Sequence, residues 1–305
     1  MERNEGLSDF LRARRAAMDP ERLGLHDGTP RRVPGLRREE LAALAGVSVD
    51  YYTRLEQGRP ITPSESVLDA LAQALQLDTA ERSYLHAVAR RSVHAARRRT
   101  SRSVQKVRPG IHALLARLDD SPAFVLGRRT DILATNRMAR ALLADFDAMP
   151  VRDRNAARWI MLDEAARSLF ADGWEKVASL FVGTLRMDAA QHPDDARTAE
   201  LVGELSMKSA AFRRWWAVQK VVQINHDTKV LHHPVVGELT LRTEALAFPG
   251  DPDQTLFVYL ADPGSRSEEA LAVLSSWAAG QSHADDRTTA PDSRQGTERR
   301  RNTAG

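Results

Sequence analysis

The chain of 305 residues contains no cysteine. This absence excludes disulfide bonds, thiol nucleophiles, and zinc or iron–sulfur centres with cysteine ligands. The sequence also lacks the Gly-x-Ser-x-Gly motif of α/β-hydrolases, the glycine-rich loop that binds phosphates, and the His-Glu-x-x-His motif of zinc proteases. We therefore expect neither an enzyme nor a protein with a bound cofactor.

Long apolar runs are absent as well. No segment is apolar over the roughly 20 residues that a membrane-spanning helix needs, and the basic N-terminus lacks the apolar core of a secretory signal. We therefore expect a cytoplasmic protein with no membrane partner.

Neither sign of charge dominates, because the net charge is only +3. The charge is nevertheless uneven: residues 1–108 carry 20 Lys and Arg against 14 Asp and Glu, whereas residues 109–305 carry 24 against 27. A basic first part and a slightly acidic second part are typical of a DNA-binding module joined to another domain.

The segment 36–59 is the most informative part of the chain. Two short helical patterns are separated by Gly46, where a sharp turn with positive φ is expected. Ser48 is a favourable N-cap for the second helix. The predicted apolar faces of the two helices are formed by Leu41, Leu44, Ala45, Tyr52 and Leu55. This pattern predicts a helix-turn-helix, although an ordinary helical hairpin with a glycine in its loop has the same periodicity.

The outward positions of the second helix are the candidates for DNA contact, because a recognition helix presents such residues to base edges in the major groove. Arg38 and Arg59 lie near the ends of the motif, where we expect contacts with phosphates. The candidate DNA-binding residues are Arg38, Ser48, Val49, Asp50, Tyr51, Thr53, Arg54, Gln57 and Arg59.

The flanking residues predict a small all-helical domain. Residues 7–18 form a first helical pattern with Ser8 as a possible cap, and a proline- and glycine-rich loop follows over 19–35. Capping boxes at 62–65, with proline at the first helical position, and at 78–81 open two further helices. Five helices are therefore expected before residue 92.

Residues 45–48 (Ala-Gly-Val-Ser) and 55–59 (Leu-Glu-Gln-Gly-Arg) resemble the helix-turn-helix of the XRE (Cro/cI-type) repressors. The resemblance implies binding to a double-stranded DNA operator, and a structural rather than base-reading role for Glu56. One departure is Arg37, which stands where such repressors often have a small hydroxyl residue as the helix cap. Specific affinity normally requires two copies on related half-sites, so we expect a homodimer.

A basic stretch follows this module. Between Arg90 and Arg108 there are eight Lys and Arg residues and no acidic residue. Such a stretch is either a solvated linker or a direct contributor to DNA affinity. We assign residues 1–92 to the DNA-binding domain and 93–110 to the linker.

The second half of the chain mixes strands with helices. Helical periodicity covers 159–185 and 201–221, and a final helix is expected over 267–277. Strands are predicted at 123–126, 131–134, 229–233, 238–248 and 255–261, with turns that include 249–253. The expected fold is α+β with a five-stranded antiparallel sheet, spanning 111–279, and the polar residues 280–305 are expected to be a disordered tail.

Residues 124–136, 155–175, 209–216 and 233–241 resemble the MmyB-like ligand-binding domain of bacterial, especially actinobacterial, regulators. The resemblance implies a PAS-like fold that encloses a pocket for a small, apolar, fatty-acid-like molecule. The chain departs from the family at Gln219-Lys220, where a His-Asp pair is usual, and at Met161 and Glu164, where Phe and Pro are commoner.

The candidate pocket residues are mostly large and apolar, because a ligand cavity needs apolar walls with a few placed polar groups. They are Asn136, Trp159, Met161, Phe181, Leu185, Phe212, Trp215, Trp216 and His233, with Lys220 as a further polar candidate. Each aromatic residue among them is equally consistent with simple core packing, and Asn136 with a helix cap.

A histidine-rich patch at 226–233 raises the question of a metal site. Adjacent strand residues point to opposite faces, so His232 and His233 cannot bind one ion without distortion. We therefore expect no metal, with His232 exposed and His233 packed.

Taken together, the sequence favours a transcription factor that responds to a small apolar ligand. A constitutive DNA-binding protein, whose second domain serves dimerisation or partner recruitment, is the alternative. An enzyme with an appended DNA-binding domain is the least favoured interpretation, since no catalytic motif supports it.

Overall fold

A computed structural model describes residues 3–25, 35–94, 105–222 and 226–288. The N-terminal part is helical and confirms the five predicted helices. Their bounds are α1, Glu5–Ala17; α2, Arg38–Leu44; α3, Val49–Glu56; α4, Glu65–Ala74; and α5, Thr79–His94. Their apolar faces meet in one core, formed by residues that include Phe10, Leu11, Leu41, Tyr52, Leu55, Leu71 and Leu85.

Two of the predicted helix starts are wrong. Asn4 rather than Ser8 caps α1, because the Ser8 side chain is buried and its hydroxyl donates to the Glu56 carbonyl at 2.5 Å. Helix α4 begins two residues later than predicted, with Ser64 as its cap. The box at 78–81 is confirmed, since Asp78 and Glu81 each accept the other's backbone N–H.

Within the loop predicted over 19–35, a short 3-10 helix spans Glu21–Leu23, and residues 26–34 lie outside the described residues. Leu44 also differs from expectation: it is exposed, whereas Leu41, Ala42 and Ala45 are buried. The side of α2 that faces the core is the one that carries Leu41, Ala42 and Ala45, and Leu44 lies outside it.

The C-terminal part is α+β, as predicted. Its strands are β1, Ala123–Leu126; β2, Ile132–Thr135; β3, His226–His233; β4, Gly237–Phe248; and β5, Asp251–Leu260. They form one antiparallel sheet in the order β2-β1-β5-β4-β3. The predicted turn at 249–253 is shorter than expected, since β4 and β5 remain paired up to Phe248 and Asp251.

Helices lie on both faces of this sheet: the helix over Pro109–Leu115 packs against Ala123, Val125, Leu256 and Val258, and the other helices lie on the opposite face. The helices are α6, Pro109–Leu115; α7, Arg137–Leu142; α8, Ala156–Leu162; α9, Glu164–Phe170; α10, Trp174–Gln191; α11, Ala196–Lys208; α12, Ala210–Ala217; and α13, Arg266–Thr288. The main core lies between the sheet and α8 to α12, where Leu231, Leu239 and Phe257 pack against the helical aromatic residues. Among the residues described, no helix has both the length and the apolarity that crossing a membrane requires.

Helix α13 corrects two expectations. It runs to Thr288, eleven residues beyond the predicted end, so residues 280–288 are helical rather than irregular. The alanines at 278, 279 and 284 favour this continuation despite Gly280, because alanine has the highest helix propensity. The rest of the predicted tail, 289–305, and linker residues 95–104 lie outside the described residues.

Candidate DNA-binding surface and ligand domain

The turn between α2 and α3 has the geometry that the sequence predicts. Gly46 adopts φ +64°, and a Cβ at this position would meet no atom within 4 Å, so only the backbone conformation calls for glycine here. Ser48 Oγ accepts the Tyr51 backbone N–H at 3.1 Å and caps α3. Tyr52 and Leu55 are buried, which orients the opposite side of α3 outward.

The candidate DNA contacts lie on this outward side. Arg38, Ser48, Val49, Asp50, Arg54, Gln57 and Arg59 are exposed, and Tyr51 and Thr53 are half-buried. The Arg54 guanidinium lies 4.0 Å from the Asp50 carboxylate, too far for a strong hydrogen bond. The outward side of α3 thus carries polar and basic side chains, and the major groove of DNA is wide enough to admit one such helix.

A buried carboxylate supports the recognition helix from behind. Glu56 is 1% exposed and accepts two hydrogen bonds from Arg15, at 2.7 and 3.0 Å, and one from Arg38 at 3.3 Å. Burial alone would raise the pKa of Glu56, but the hydrogen bonds from Arg15 and Arg38 outweigh it and lower the pKa. Arg38, a predicted phosphate contact, is therefore also anchored to the fold. Arg15 was missed, because no local pattern in the sequence pairs it with Glu56.

A small polar cleft of about 200 Å³ lies beside Gln57, at the end of α3. Its lining combines both signs of charge: Arg3, Glu5, Ser8, Asp9, Arg12 and Gln57. This mixture gives the cleft no strong preference for an anion or a cation.

The aromatic candidates of the ligand domain belong to one core. Trp159 and Met161 lie on α8, Phe181 and Leu185 on α10, and Phe212, Trp215 and Trp216 on α12. The Trp159 ring meets Phe146 and Phe170 edge-on, with centroids 5.4 and 6.1 Å away, and Phe212 stacks on Trp216 at 5.4 Å. Phe181 and Met161 keep 9% and 8% exposure, the highest values within this buried cluster.

Two of the polar candidates are fully engaged by the protein itself. Asn136 Oδ1 accepts from the backbone of Ala123 and Ala139, and its amide donates to the carbonyls of Leu118 and Ser121. Asn136 therefore caps α7 and ties it to the start of β1.

His233 bonds through both ring nitrogens. Nε2 lies 2.9 Å from the Ala141 carbonyl, and Nδ1 accepts the Val235 N–H. Burial lowers the pKa of His233, which favours the neutral ring. The third polar candidate, Lys220, is exposed, so the prediction that it faces the pocket is wrong. His232 is exposed and His233 packed, as predicted.

The core-facing side of β3 carries a polar cluster that we did not single out. Lys229 is 6% exposed, and its Nζ donates to Thr243 Oγ1 at 3.2 Å and lies 3.8 Å from Asp227. Burial lowers the pKa of Lys229. The burial of Lys229 could have been predicted from the sequence, because Lys229 is four residues from the packed His233 and therefore lies on the same face of the strand.

No group of His, Cys, Asp and Glu within the described ranges has the arrangement of a metal site. His226 and His232 are both exposed, away from the packed His233. The histidine-rich patch is thus an edge strand with alternating exposed and buried residues.

The two domains pack against each other through α5 and α10. Met187, Ala190 and Val221 of the second domain join the apolar core of the first. Gly183 allows a close approach of the chain after α12, because a Cβ there would lie 2.9 Å from the Val222 nitrogen. The interface is therefore a continuous packed core rather than a loose contact.

Polar contacts at the same interface converge on Gln219. Its carbonyl accepts from Arg14 of α1 at 3.0 Å, and its side-chain oxygen accepts from the buried Arg186 of α10. Arg186 also donates to the Trp216 carbonyl, and its guanidinium lies 4.2 Å from the Trp216 ring. Burial lowers the pKa of Arg186, although the Tyr84 side chain of α5 acts in the opposite direction.

Comparison with known protein families agrees with this architecture. A helix-turn-helix domain family matches residues 7–85, and the MmyB-like transcription regulator ligand binding domain matches residues 107–274. No curated protein matches the chain. These are families of transcription regulators rather than of enzymes. Because the second match covers more than half of the sequence, the chain belongs to the MmyB-like transcription regulators, as a DNA-binding protein with a helix-turn-helix and a ligand-binding domain.

Proposed function

We propose that the protein binds a two-fold-related operator as a homodimer and changes its DNA affinity when a small apolar, fatty-acid-like molecule occupies the C-terminal domain. The membership of the ligand-binding family supports a small-molecule ligand. The aromatic core over α8, α10 and α12 supports an apolar one, because apolar walls bind apolar molecules.

The exposed side of α3 is the proposed reading surface for DNA. In this proposal Thr53, Arg54 and Gln57 reach base edges, since they lie on the outward side of the helix. Arg38 and Arg59 contact phosphates and orient the helix in the groove. The remaining members of the proposed surface are Ser48, Val49, Asp50 and Tyr51.

One observation carries the proposal that the two activities are coupled: the domains share a packed core and a set of hydrogen bonds centred on Gln219. A ligand that reshapes α10 or α12 therefore acts on groups that also touch α1 and α5. The ligand can shift DNA binding only by its differential affinity for the two states, typically about 1 to 3 kcal/mol. The corresponding change in DNA affinity is about 5- to 150-fold.

Full-length protein tests this proposal. Small molecules released on denaturation are identified by mass spectrometry, and the operator is obtained by selection from random duplexes. An apolar compound recovered in this way and added back to stripped protein should raise the melting temperature and change operator affinity within the stated range. A compound that binds without changing operator affinity would instead favour the constitutive alternative, in which the C-terminal domain serves dimerisation or partner recruitment.

A further inference from the structure

Two tryptophans of the ligand domain differ in the bonding of the indole N–H. Trp159 and Trp174 are equally buried, each with 6% of its surface exposed. Trp174 Nε1 donates to the Ile160 carbonyl at 2.8 Å. No group of the described residues accepts a hydrogen bond from Trp159 Nε1, which is itself buried.

The unpaired donor of Trp159 calls for an explanation, because buried polar groups in folded proteins almost always have a hydrogen-bond partner. An indole nitrogen can only donate. The rings that flank Trp159, Phe146 and Phe170, are apolar and meet it edge-on. The surroundings of Trp159 therefore combine apolar rings with one unpaired donor, and a small-molecule site usually has this composition of apolar side chains and a few polar groups.

The buried polar side chains that face the main core are already committed. Asn136 and His233 bond to the backbone through their side-chain nitrogen and oxygen atoms. Lys229 is held by Thr243 and Asp227. Of the polar candidates that we considered for the pocket, Trp159 alone combines burial with an uncommitted hydrogen.

We propose that Trp159 is the polar contact of the ligand site and donates its indole hydrogen to an oxygen of the ligand. The inference rests on the proposed function and deepens it by stating the ligand's chemistry. The ligand is an apolar molecule that carries a hydrogen-bond acceptor, such as a ketone, ester or carboxylate oxygen. A pure hydrocarbon or a molecule whose polar group only donates leaves the indole hydrogen unpaired and binds less tightly.

A matched set of probes tests this assignment on full-length protein with ¹⁵N-labelled tryptophan. The probes are 2-undecanone, undecane and decanoate, which share an alkyl chain and differ in the acceptor. The five indole signals are assigned with Trp159→Phe and Trp174→Phe, both of which keep an aromatic ring. We expect 2-undecanone to move the Trp159 indole signal downfield and to bind about 2- to 10-fold more tightly than undecane, the range that one neutral hydrogen bond supplies. Decanoate distinguishes a charged from a neutral acceptor, since tighter binding than that of the ketone identifies a carboxylate ligand.

The Trp159→Phe variant should bind 2-undecanone and undecane equally, whereas the control Trp174→Phe should keep the preference. Binding of a probe with no change at the Trp159 indole signal, in the unsubstituted protein, would overturn the inference and leave the proposed function standing. A bound water that contacts the Trp159 indole hydrogen without a probe, detected as a nuclear Overhauser effect between the two, would do the same, because the donor is then satisfied. If none of the probes shifts any indole signal, the inference is overturned for alkyl ligands of this length, whereas the proposed function is decided separately by the compound recovered from the protein.

Discussion

At the scale of single residues, Glu56 shows how a charged side chain can belong to the core of a DNA-binding domain. It ends the recognition helix, yet it is buried and faces Arg15 and Arg38. A carboxylate in this position joins α1, α2 and α3 through charge-assisted hydrogen bonds, which are stronger than neutral ones. The recognition helix thus depends on Glu56 for its orientation, although Glu56 does not lie on the outward surface.

Replacing Glu56 by Gln should destabilise the protein by about 3 kcal/mol at neutral pH, because Arg15 loses its buried charge partner. The pKa of Glu56 is lower in the folded state than its usual value near 4.5. Its contribution to stability is therefore complete above that value and is lost as the pH falls below it. Urea unfolding at pH 7 and at lower pH should show a difference between the two proteins that shrinks on acidification. The exposed Glu39→Gln serves as the control, and an equal loss in both variants would contradict this role.

Arg54→Ala should reduce discrimination between operator and random DNA by about 1 to 3 kcal/mol, because we expect the guanidinium to contact a base edge. Arg59→Ala should weaken binding to both duplexes equally and should lower the salt dependence, as loss of a phosphate contact does. Binding titrations at several salt concentrations measure both effects. Equal losses on the two duplexes for Arg54→Ala would count against α3 as the reading helix.

At the scale of elements, the chain that leaves α12 is the most informative. Gln219 adopts φ +58°, a left-handed conformation that is uncommon for residues other than glycine. The resulting turn directs the backbone carbonyl of Gln219 to Arg14 of α1, and its side-chain oxygen accepts from Arg186 of α10. Gln219 thus lies at the contact between the two domains.

Gln219→Gly should weaken the coupling between ligand and DNA, because it removes the acceptor for Arg186 while glycine readily keeps the left-handed backbone. We expect the change in operator affinity caused by the recovered ligand to shrink by about 2- to 30-fold. The neighbouring Lys220 is exposed, so Lys220→Gly controls for the added backbone freedom. Coupling that is unchanged in Gln219→Gly, or lost to the same degree in both variants, would mean that the signal passes through the packed α5–α10 contact alone.

At the scale of the whole molecule, we expect two copies on each operator. One recognition helix buries little surface on DNA, and specific affinity normally comes from two helices on half-sites about 34 Å apart. Footprinting should protect two related half-sites, and sedimentation of the complex should give two chains per duplex. A single protected half-site with one chain bound would contradict the homodimer.

Particular elements show how far local pattern reasoning reaches. The second helix of the helix-turn-helix was predicted correctly from Gly46, Ser48 and the apolar pair Tyr52 and Leu55, because capping and periodicity act within one or two turns. For α1, by contrast, the predicted cap was wrong, because Asn4 and Ser8 are both residue types that commonly cap a helix. Only the burial of Ser8 against α3 distinguishes them.

The sequence by itself determined the two-domain organisation, the five N-terminal helices and the antiparallel sheet, because apolar periodicity and turn residues are local properties. The tertiary structure alone decided which charged groups are buried together. The partners Arg15 and Glu56 are 41 residues apart, and Arg14 and Gln219 are 205 residues apart. It also decided that Trp174 is bonded and Trp159 is not. Such pairings follow from how whole elements pack in space, and no periodicity along the chain encodes them.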